Sequence, residues 1–198
     1  MADIPIILLA AGGSSRMGQA KQLLEWGGKT LIEFQAEKLL KLKKAVYVVL
    51  GSSNEEILPI LENYPIKVIV NSAWKNGMGT SVAAGIEKVL QENPDVNAVV
   101  YSLIDQPLVS TDHIQKLMDA FTPNQQQIIA SRSENGWLGV PALFDASYFN
   151  ELRMLKQDSG AKTIIKKHLS KVTSVDAGNL LEDIDTPEKY LELRKNYE

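Results

Sequence analysis

The 198-residue chain predicts a three-layer α/β/α fold on an open, mostly parallel sheet, with a mixed or antiparallel portion in the C-terminal third. Three observations carry this. Short continuous apolar runs, rather than alternating ones, read as strands covered on both faces. Helical patterns separate the first four runs, which implies right-handed crossovers between parallel strands. In the last third, two strand signals follow each other with no helix between them, so antiparallel pairing is expected there.

Pro5–Ala11 is the first buried strand. A helix starts after it at Thr30, where Thr30-x-x-Glu33 has the form of a capping box and Ile32, Ala36, Leu39 and Leu40 share a face. Ala45–Leu50 is the second strand. Ser53-x-x-Glu56 then opens a short helix carrying Ile57, Ile60 and Leu61, which Pro59 should bend or shorten. Ile66–Val70 is the third strand, Thr80–Leu90 a helix with Val82, Ile86, Val89 and Leu90 on one side, and Ala98–Leu103 the fourth strand. The helix Asp112–Phe121 follows. Gln127–Ser131 and Gly139–Phe144 are the paired strand signals, Val172–Val175 a further strand, and Ser147–Lys156, Gly160–Leu169 and Pro187–Lys195 helices. Thr122–Gln127 and Ser133–Gly136 read as loops, so one domain is expected over residues 1–198.

Composition excludes several classes. Hydrophobic residues make up 44% and charged residues 23%, ordinary values for a globular core. A net charge of -3 leaves no broad basic footprint for nucleic acid, so any anion site must be local. The chain contains no cysteine, which removes disulfides, thiolate metal sites and a cysteine nucleophile. Without a basic n-region or a long apolar stretch at Met1-Ala2-Asp3-Ile4-Pro5, no membrane association is expected and a cytoplasmic location is.

The most informative stretch is Leu8-Leu9-Ala10-Ala11-Gly12-Gly13-Ser14-Ser15-Arg16-Met17-Gly18-Gln19-Ala20-Lys21. Ligands of open α/β sheets bind beyond the carboxyl ends of the strands, and this loop leaves the first strand at that edge. Its small residues allow backbone N–H groups to approach phosphate, and Gly12 and Gly13 can adopt positive φ without penalty. Arg16 presents a planar fork for phosphate oxygens and Lys21 a compact charge. The loop is neither a Walker A motif, because Gln19 follows Gly18, nor a Gly-x-Gly-x-x-Gly fingerprint.

Tyr101–Ser110 places Asp105 at the end of a buried strand, pointing at the same edge. A carboxylate there suits Mg²⁺ (or Mn²⁺), which binds one or two carboxylates plus substrate phosphates. Asp185-Thr186-Pro187 is a good helix start, and Asp185 could complete a metal site; Asp183 competes with it. In Asn71–Ile86, Gly77, Gly79, Thr80 and Ser81 precede a helix whose N-terminus could receive an anion, and Asn71 has groups suited to a ribose or base edge. Trp74 and Met78 read as packing residues. His113 and His168 lack metal-ligand spacing, and surface or capping roles are expected for both.

The chain resembles nucleotidyltransferases that attach a nucleotide to molybdopterin, closest to the molybdenum cofactor cytidylyltransferase branch. The resemblance runs nearly end to end. It rests on Leu9-Ala10-Ala11-Gly12-x-Ser14-x-Arg16-Met17-Gly18 with Lys21, Asn71-x-x-Trp74-x-x-Gly77-Met78-x-x-Ser81, Asp105-Gln106-Pro107, Ser159-Gly160-Ala161-Lys162 and Asp183-Ile184-Asp185-Thr186-Pro187. It implies a Rossmann-like nucleotidyltransferase fold, a nucleotide-binding half over 1–121, and an acceptor half with the C-terminal helix over 122–198. It further implies CTP (or another NTP) as donor, a molybdopterin-type phosphate as acceptor, and a molybdoenzyme maturation protein as a possible partner. On that pattern Leu9, Ala10 and Ala11 meet the nucleotide through backbone groups and Arg16 and Lys21 hold its phosphates; Gly12 and Gly13 of the same loop, with Asn71, Gly79 and Ser81, are the further candidates for nucleotide contact. Asp105, with Asp185, takes the metal, and Arg16, Lys21 and Asp105 form the catalytic group. Ala11 stands where the guanylyl branch typically carries an extra glycine. Many members read Gly-His-Pro where this chain has Gly139-Val140-Pro141, so a polar group expected to face the acceptor is missing. The alternatives are a nucleotidyltransferase for a sugar or polyol phosphate, a guanylyl transferase, or a non-catalytic nucleotide- or cofactor-binding protein.

Overall fold

A computed structural model describes residues 4–14, 16–157 and 159–197; Met1, Ala2 and Asp3 of the N-terminal stretch lie outside them. Strands β1 (Ile6–Ala10), β4 (Val46–Leu50), β5 (Lys67–Val70), β6 (Ala98–Leu103), β7 (Ile128–Ser133), β8 (Leu138–Asp145) and β9 (Val172–Gly178) form one sheet in the order β5-β4-β1-β6-β8-β7-β9. The first four are mutually parallel. β8 pairs antiparallel with both β6 and β7, and β9 returns parallel to β7, so β8 alone runs against the others. The helix-free connection between β7 and β8 thus produces the antiparallel pairing expected from the sequence.

The helices are α1 (Leu31–Leu40), α2 (Asn54–Leu61), α3 (Met78–Glu92), α4 (Thr111–Asp119), α5 (Phe149–Arg153), α6 (Ala161–Lys167) and α7 (Pro187–Tyr197). The period of two along β1 sorts the core into two layers. Ile6, Leu8 and Ala10 pack with α1, α2, α4 and α7, while Ile7, Leu9 and Ala11 pack with α3, α5 and α6. The three layers follow.

Local chemistry explains where the elements begin. Thr30 caps α1 in a complete capping box with Glu33. The analogous Ser53-x-x-Glu56 signal fails to form one: Ser53 sits in the left-handed region with φ 53° and makes no side-chain cap, although α2 still runs through Pro59 to Leu61. A small ribbon, β2 (Glu25–Trp26) with β3 (Lys29–Thr30), turns at Gly27-Gly28, both at positive φ, and escaped the sequence reading because each strand is two residues long. The expected helix Ser147–Lys156 is a 3-10 turn followed by α5, which ends at Arg153. Beyond it the Lys156 backbone packs on Gly79, whose N–H donates to the Gln157 carbonyl at 2.8 Å, and a continued helix could not make that contact.

Two side-chain expectations need correction. His113 is buried, 3% exposed, and its Nε2 lies 2.7 Å from the Ser131 hydroxyl, which in turn donates to the Pro141 carbonyl. It joins Ile114, Leu117 and Met118 on the apolar face of α4, and burial lowers its pKa. His168 does take a capping position, at the end of α6, paired with Glu151. Met78 is 51% exposed and is not a packing residue of the core.

Candidate active site

A cleft of about 520 Å³ opens at the carboxyl ends of β1 and β6. From these adjacent parallel strands the chain moves in opposite directions along the sheet, from β1 to β4 and from β6 to β7, the arrangement that leaves a crevice in such folds. Leu9, Ala11, Gly12, Gly13, Ser14, Arg16 and Lys21 line one wall; Leu103, Ile104, Asp105, Asp183 and Asp185 line another; Trp74, Met78 and Ser81 close the third side.

The first wall is a loop shaped by its contacts. Its left-handed positions fall at Ser14 (φ 50°) and Gly18 (φ 69°), not at Gly12 or Gly13. Gly13 serves a steric purpose instead, since a Cβ there would stand 2.9 Å from the Trp74 ring. Gly51 is tighter still: a Cβ would lie 2.5 Å from the Ala11 carbonyl oxygen and 2.6 Å from Trp74. Trp74 therefore packs as expected, against the glycines of the loop. The Ser14 hydroxyl accepts from the Lys21 N–H at 3.0 Å, and buried Gln22 donates to the Ala10 and Gly12 carbonyls at 2.6 and 3.3 Å.

Lys21 joins the two walls. Its Nζ lies 3.2 Å from Asp105 Oδ2 and 2.8 Å from Asp185 Oδ1, and the side chain is only 12% exposed. Arg16 reaches the other Asp185 oxygen at 3.0 Å from a far more exposed position. The hydrogen bond from Lys21, aided by Arg16, holds the Asp185 carboxyl below its ordinary pKa. The protein surrounding Asp105 pushes its carboxyl up, against the pull of Lys21. Asp183, open to the cleft but set in a concave wall beside Asp105, is raised to about 6 by the surrounding protein and then by the neighbouring charge.

Sequence residues distribute unevenly over this geometry. Leu9, Ala11, Gly12, Gly13, Arg16, Lys21, Ser81, Asp105 and Asp185 face the cleft. Ala10 is fully buried behind it. Asn71 is committed internally: its amide donates to the Thr80 and Ser81 hydroxyls at 2.9 Å each and its oxygen accepts from the Ala73 N–H. Gly79 faces the Lys156 backbone rather than the cleft, and its N–H is already used. Asp183 and Asp185 both reach the wall, so the structure brings both candidates to one place. Val140 packs in the core layer with Ala142 and Phe144, 8% exposed. Gln22, buried but lining the cleft beneath the loop, and Gln35, buried behind the carboxylate wall, were missed; the signal was a glutamine at an otherwise apolar, buried position.

No group of three or more His, Cys, Asp or Glu among the described residues forms a ready-made metal cage. The donors at hand are two or three carboxylates beside room for a polyanion. That set fits Mg²⁺ or Mn²⁺, hard ions that complete their coordination with water and substrate phosphate.

A parallel sheet that sets a cation-bearing loop against carboxylates at its carboxyl edge defines a phosphate-handling α/β domain. More particularly, the chain belongs to the MobA-like NTP transferase domain family, whose model matches residues 6–172, and it is a nucleotidyltransferase. It is 30% identical to purine catabolism protein PucB of Bacillus subtilis, covering 96% of this chain and 95% of the relative. It is 29% identical to nicotine blue oxidoreductase of Paenarthrobacter nicotinovorans, over 96% and 98% of the two chains. A molybdenum cofactor guanylyltransferase of Xanthomonas euvesicatoria is 27% identical over 94% of this chain and 92% of its own length; the cytidylyltransferase of Escherichia coli is 24% identical over 100% and 98%. The fold is shared with the crystal structure of Rv0371c from Mycobacterium tuberculosis, at TM-score 0.85 and 23% identity over 98% of both chains. A manganese complex of that protein superposes at TM-score 0.77 with 22% identity, over 98% of this chain and 99% of the other. No helix among the described residues is long and apolar enough to cross a membrane.

Proposed function

We propose that the protein transfers CMP from CTP to the terminal phosphate of a molybdopterin-type acceptor and releases pyrophosphate, with Mg²⁺ or Mn²⁺ as cofactor. The observation that carries the transferase chemistry is Lys21, bonded to Asp105 and Asp185 across a cleft large enough for a nucleotide. CTP is favoured by Ala11, whose side chain takes up room at the cleft wall, and the acceptor by the relatives named for molybdenum cofactor chemistry.

In the reaction a phosphate oxygen of the acceptor attacks the α-phosphorus of CTP, a new P–O–P bridge forms, and the α–β P–O bond breaks as pyrophosphate leaves. The nucleophile is already anionic, so no general base is required. The loop wall binds the triphosphate through the backbone of residues 11–14 and through Arg16 and Lys21. Lys21 exchanges carboxylate partners for phosphate and follows the charge that develops on the leaving group. Asp105 and Asp185, with Asp183 beside them, would hold the divalent ion. When bound, that ion neutralises phosphate charge and polarises the α-phosphoryl group.

A turnover screen tests the reading: pyrophosphate release with each of the four nucleotides, molybdopterin and sugar or polyol phosphates, with Mg²⁺, Mn²⁺ or EDTA. The expected result is release with CTP and molybdopterin, abolished by EDTA. Turnover with GTP in place of CTP would make it a guanylyl transferase. Tight CTP binding without pyrophosphate from any acceptor would sink the catalytic reading.

A further inference from the structure

The loop that carries Asp105 is held from behind in an unusual way. Five consecutive carbonyls, Leu103 through Pro107, each accept a hydrogen bond. Gln35 Nε2 donates to Leu103, Ile104 and Gln106 at 3.3, 3.2 and 3.2 Å. The Ile184 N–H donates to Asp105 at 2.8 Å, and Lys38 Nζ to Pro107 at 3.0 Å. With every carbonyl turned toward α1 or toward the 183–185 segment, the backbone of the turn is fixed, and with it the point on the cleft wall from which Asp105 projects.

Gln35 is out of place by composition. It stands on the buried face of α1 among Leu31, Ile32, Ala36 and Leu39, 1% exposed, where an apolar residue would complete the stripe. Its Oε1 finds no hydrogen-bond partner, a cost that an apolar side chain would avoid. The gain is on the donor side, because no aliphatic side chain could serve three carbonyls in one turn. The Ile184 bond extends the effect. It ties the Asp105 backbone to the residue between Asp183 and Asp185, so whatever fixes the 103–107 turn also fixes how far apart the carboxylates stand.

We propose that Gln35 and Lys38 are positioning residues that set the spacing of the metal-holding carboxylates through the 103–107 turn. This rests on the assignment of Asp105 and Asp185 to a divalent ion, but not on the nucleotide or the acceptor. Without the clamp, the mutual repulsion of the three carboxylates is opposed by Lys21 and Arg16 and no longer by the backbone, and the ion must restore the spacing on binding.

Mn²⁺ binding to the full chain, followed by electron paramagnetic resonance without nucleotide, is the test. Gln35→Met removes the amide that the three carbonyls share, at similar volume, and Lys38→Met removes the ammonium donor while keeping the stem. Leu39→Ala, on the same buried face but away from the turn, is the control for general damage to α1. The expected result is a Kd for Mn²⁺ raised about tenfold or more by Gln35→Met and about threefold by Lys38→Met. Lys38→Arg should recover wild-type binding, and Leu39→Ala should stay within about twofold despite a lower Tm. Unchanged Mn²⁺ binding in both methionine variants overturns the proposal, as does an equal loss in Leu39→Ala. If Gln35→Met does not fold, Lys38→Met against Lys38→Arg decides. A wild-type protein that holds no Mn²⁺ overturns it together with the carboxylate assignment; a protein that binds Mn²⁺ but releases no pyrophosphate leaves the clamp to be judged on its own measurement.

Discussion

The two walls of the cleft are built on opposite plans. The carboxylate wall is fixed through its backbone: α1 and the wall's own 183–185 segment supply donors to every carbonyl from Leu103 to Pro107. The loop wall is held at its entry and exit, by Ser52 and Gln22 on the Gly12 carbonyl and by Ser14 on the Lys21 N–H, while Arg16 reaches outward into solvent. The difference matches the tasks. Carboxylates that share an ion repel one another and need an imposed geometry, whereas cations that accompany a departing phosphate need reach.

That contrast can be broken at its strongest point first. Lys21→Ala and Asp105→Asn should each lower pyrophosphate release by about a hundredfold or more, corresponding to ~2.7–4 kcal/mol of barrier, because the first removes a cation that meets the phosphates and the second a carboxylate that would hold the divalent ion. Circular dichroism should show both variants folded, and near-normal turnover in either would end the assignment.

Gly51→Ala probes a purely steric constraint on the loop. The new Cβ would overlap the Ala11 carbonyl and the Trp74 side chain, so a stability loss of ~1–3 kcal/mol in urea unfolding is expected. CTP affinity should fall with it, since the same atoms shape the loop wall. Retained stability together with retained affinity would mean that Trp74 does not brace the loop.

The smallest effect belongs to Arg16. Its exposed pair with Asp185 should contribute less than ~1 kcal/mol to stability, so Arg16→Ala is expected to leave the urea midpoint nearly unchanged. Its effect should appear in turnover, chiefly as a raised KM for the nucleotide, smaller than the loss from Lys21→Ala. A drop in kcat equal to that of Lys21→Ala would show that both cations act on the leaving phosphate and that the loop wall is more tightly organised than its bonds indicate.

Much of this architecture was legible in advance. Apolar runs located all seven strands of the main sheet to within a few residues, and the capping box at Thr30 located α1, because each signal is local and strong. Lys21 and Asp105 could be nominated from the loops that leave β1 and β6, since residues beyond parallel strands share one edge, whereas Asp185 stood only as a helix start in competition with Asp183. The failures have a common cause. His113 was read by its residue type, yet it continues the apolar face of α4 and finds Ser131 on a strand formed only by the next segment. Asn71 and Gly79 sit in a motif that faces the cleft in sequence, but their polar groups are consumed by Thr80, Ser81 and Gln157.

By itself, then, the sequence determined the layer order, the antiparallel turn at β8 and the chemical types that reach the carboxyl edge, since hydrophobic period and strand-end position are properties of short stretches. The tertiary structure alone decided which polar groups remain available for a ligand and which are spent holding the walls. Gln35 illustrates why: a hydrogen bond across 68 to 71 residues of chain is set by packing, and nothing in the neighbourhood of that glutamine reveals its partners.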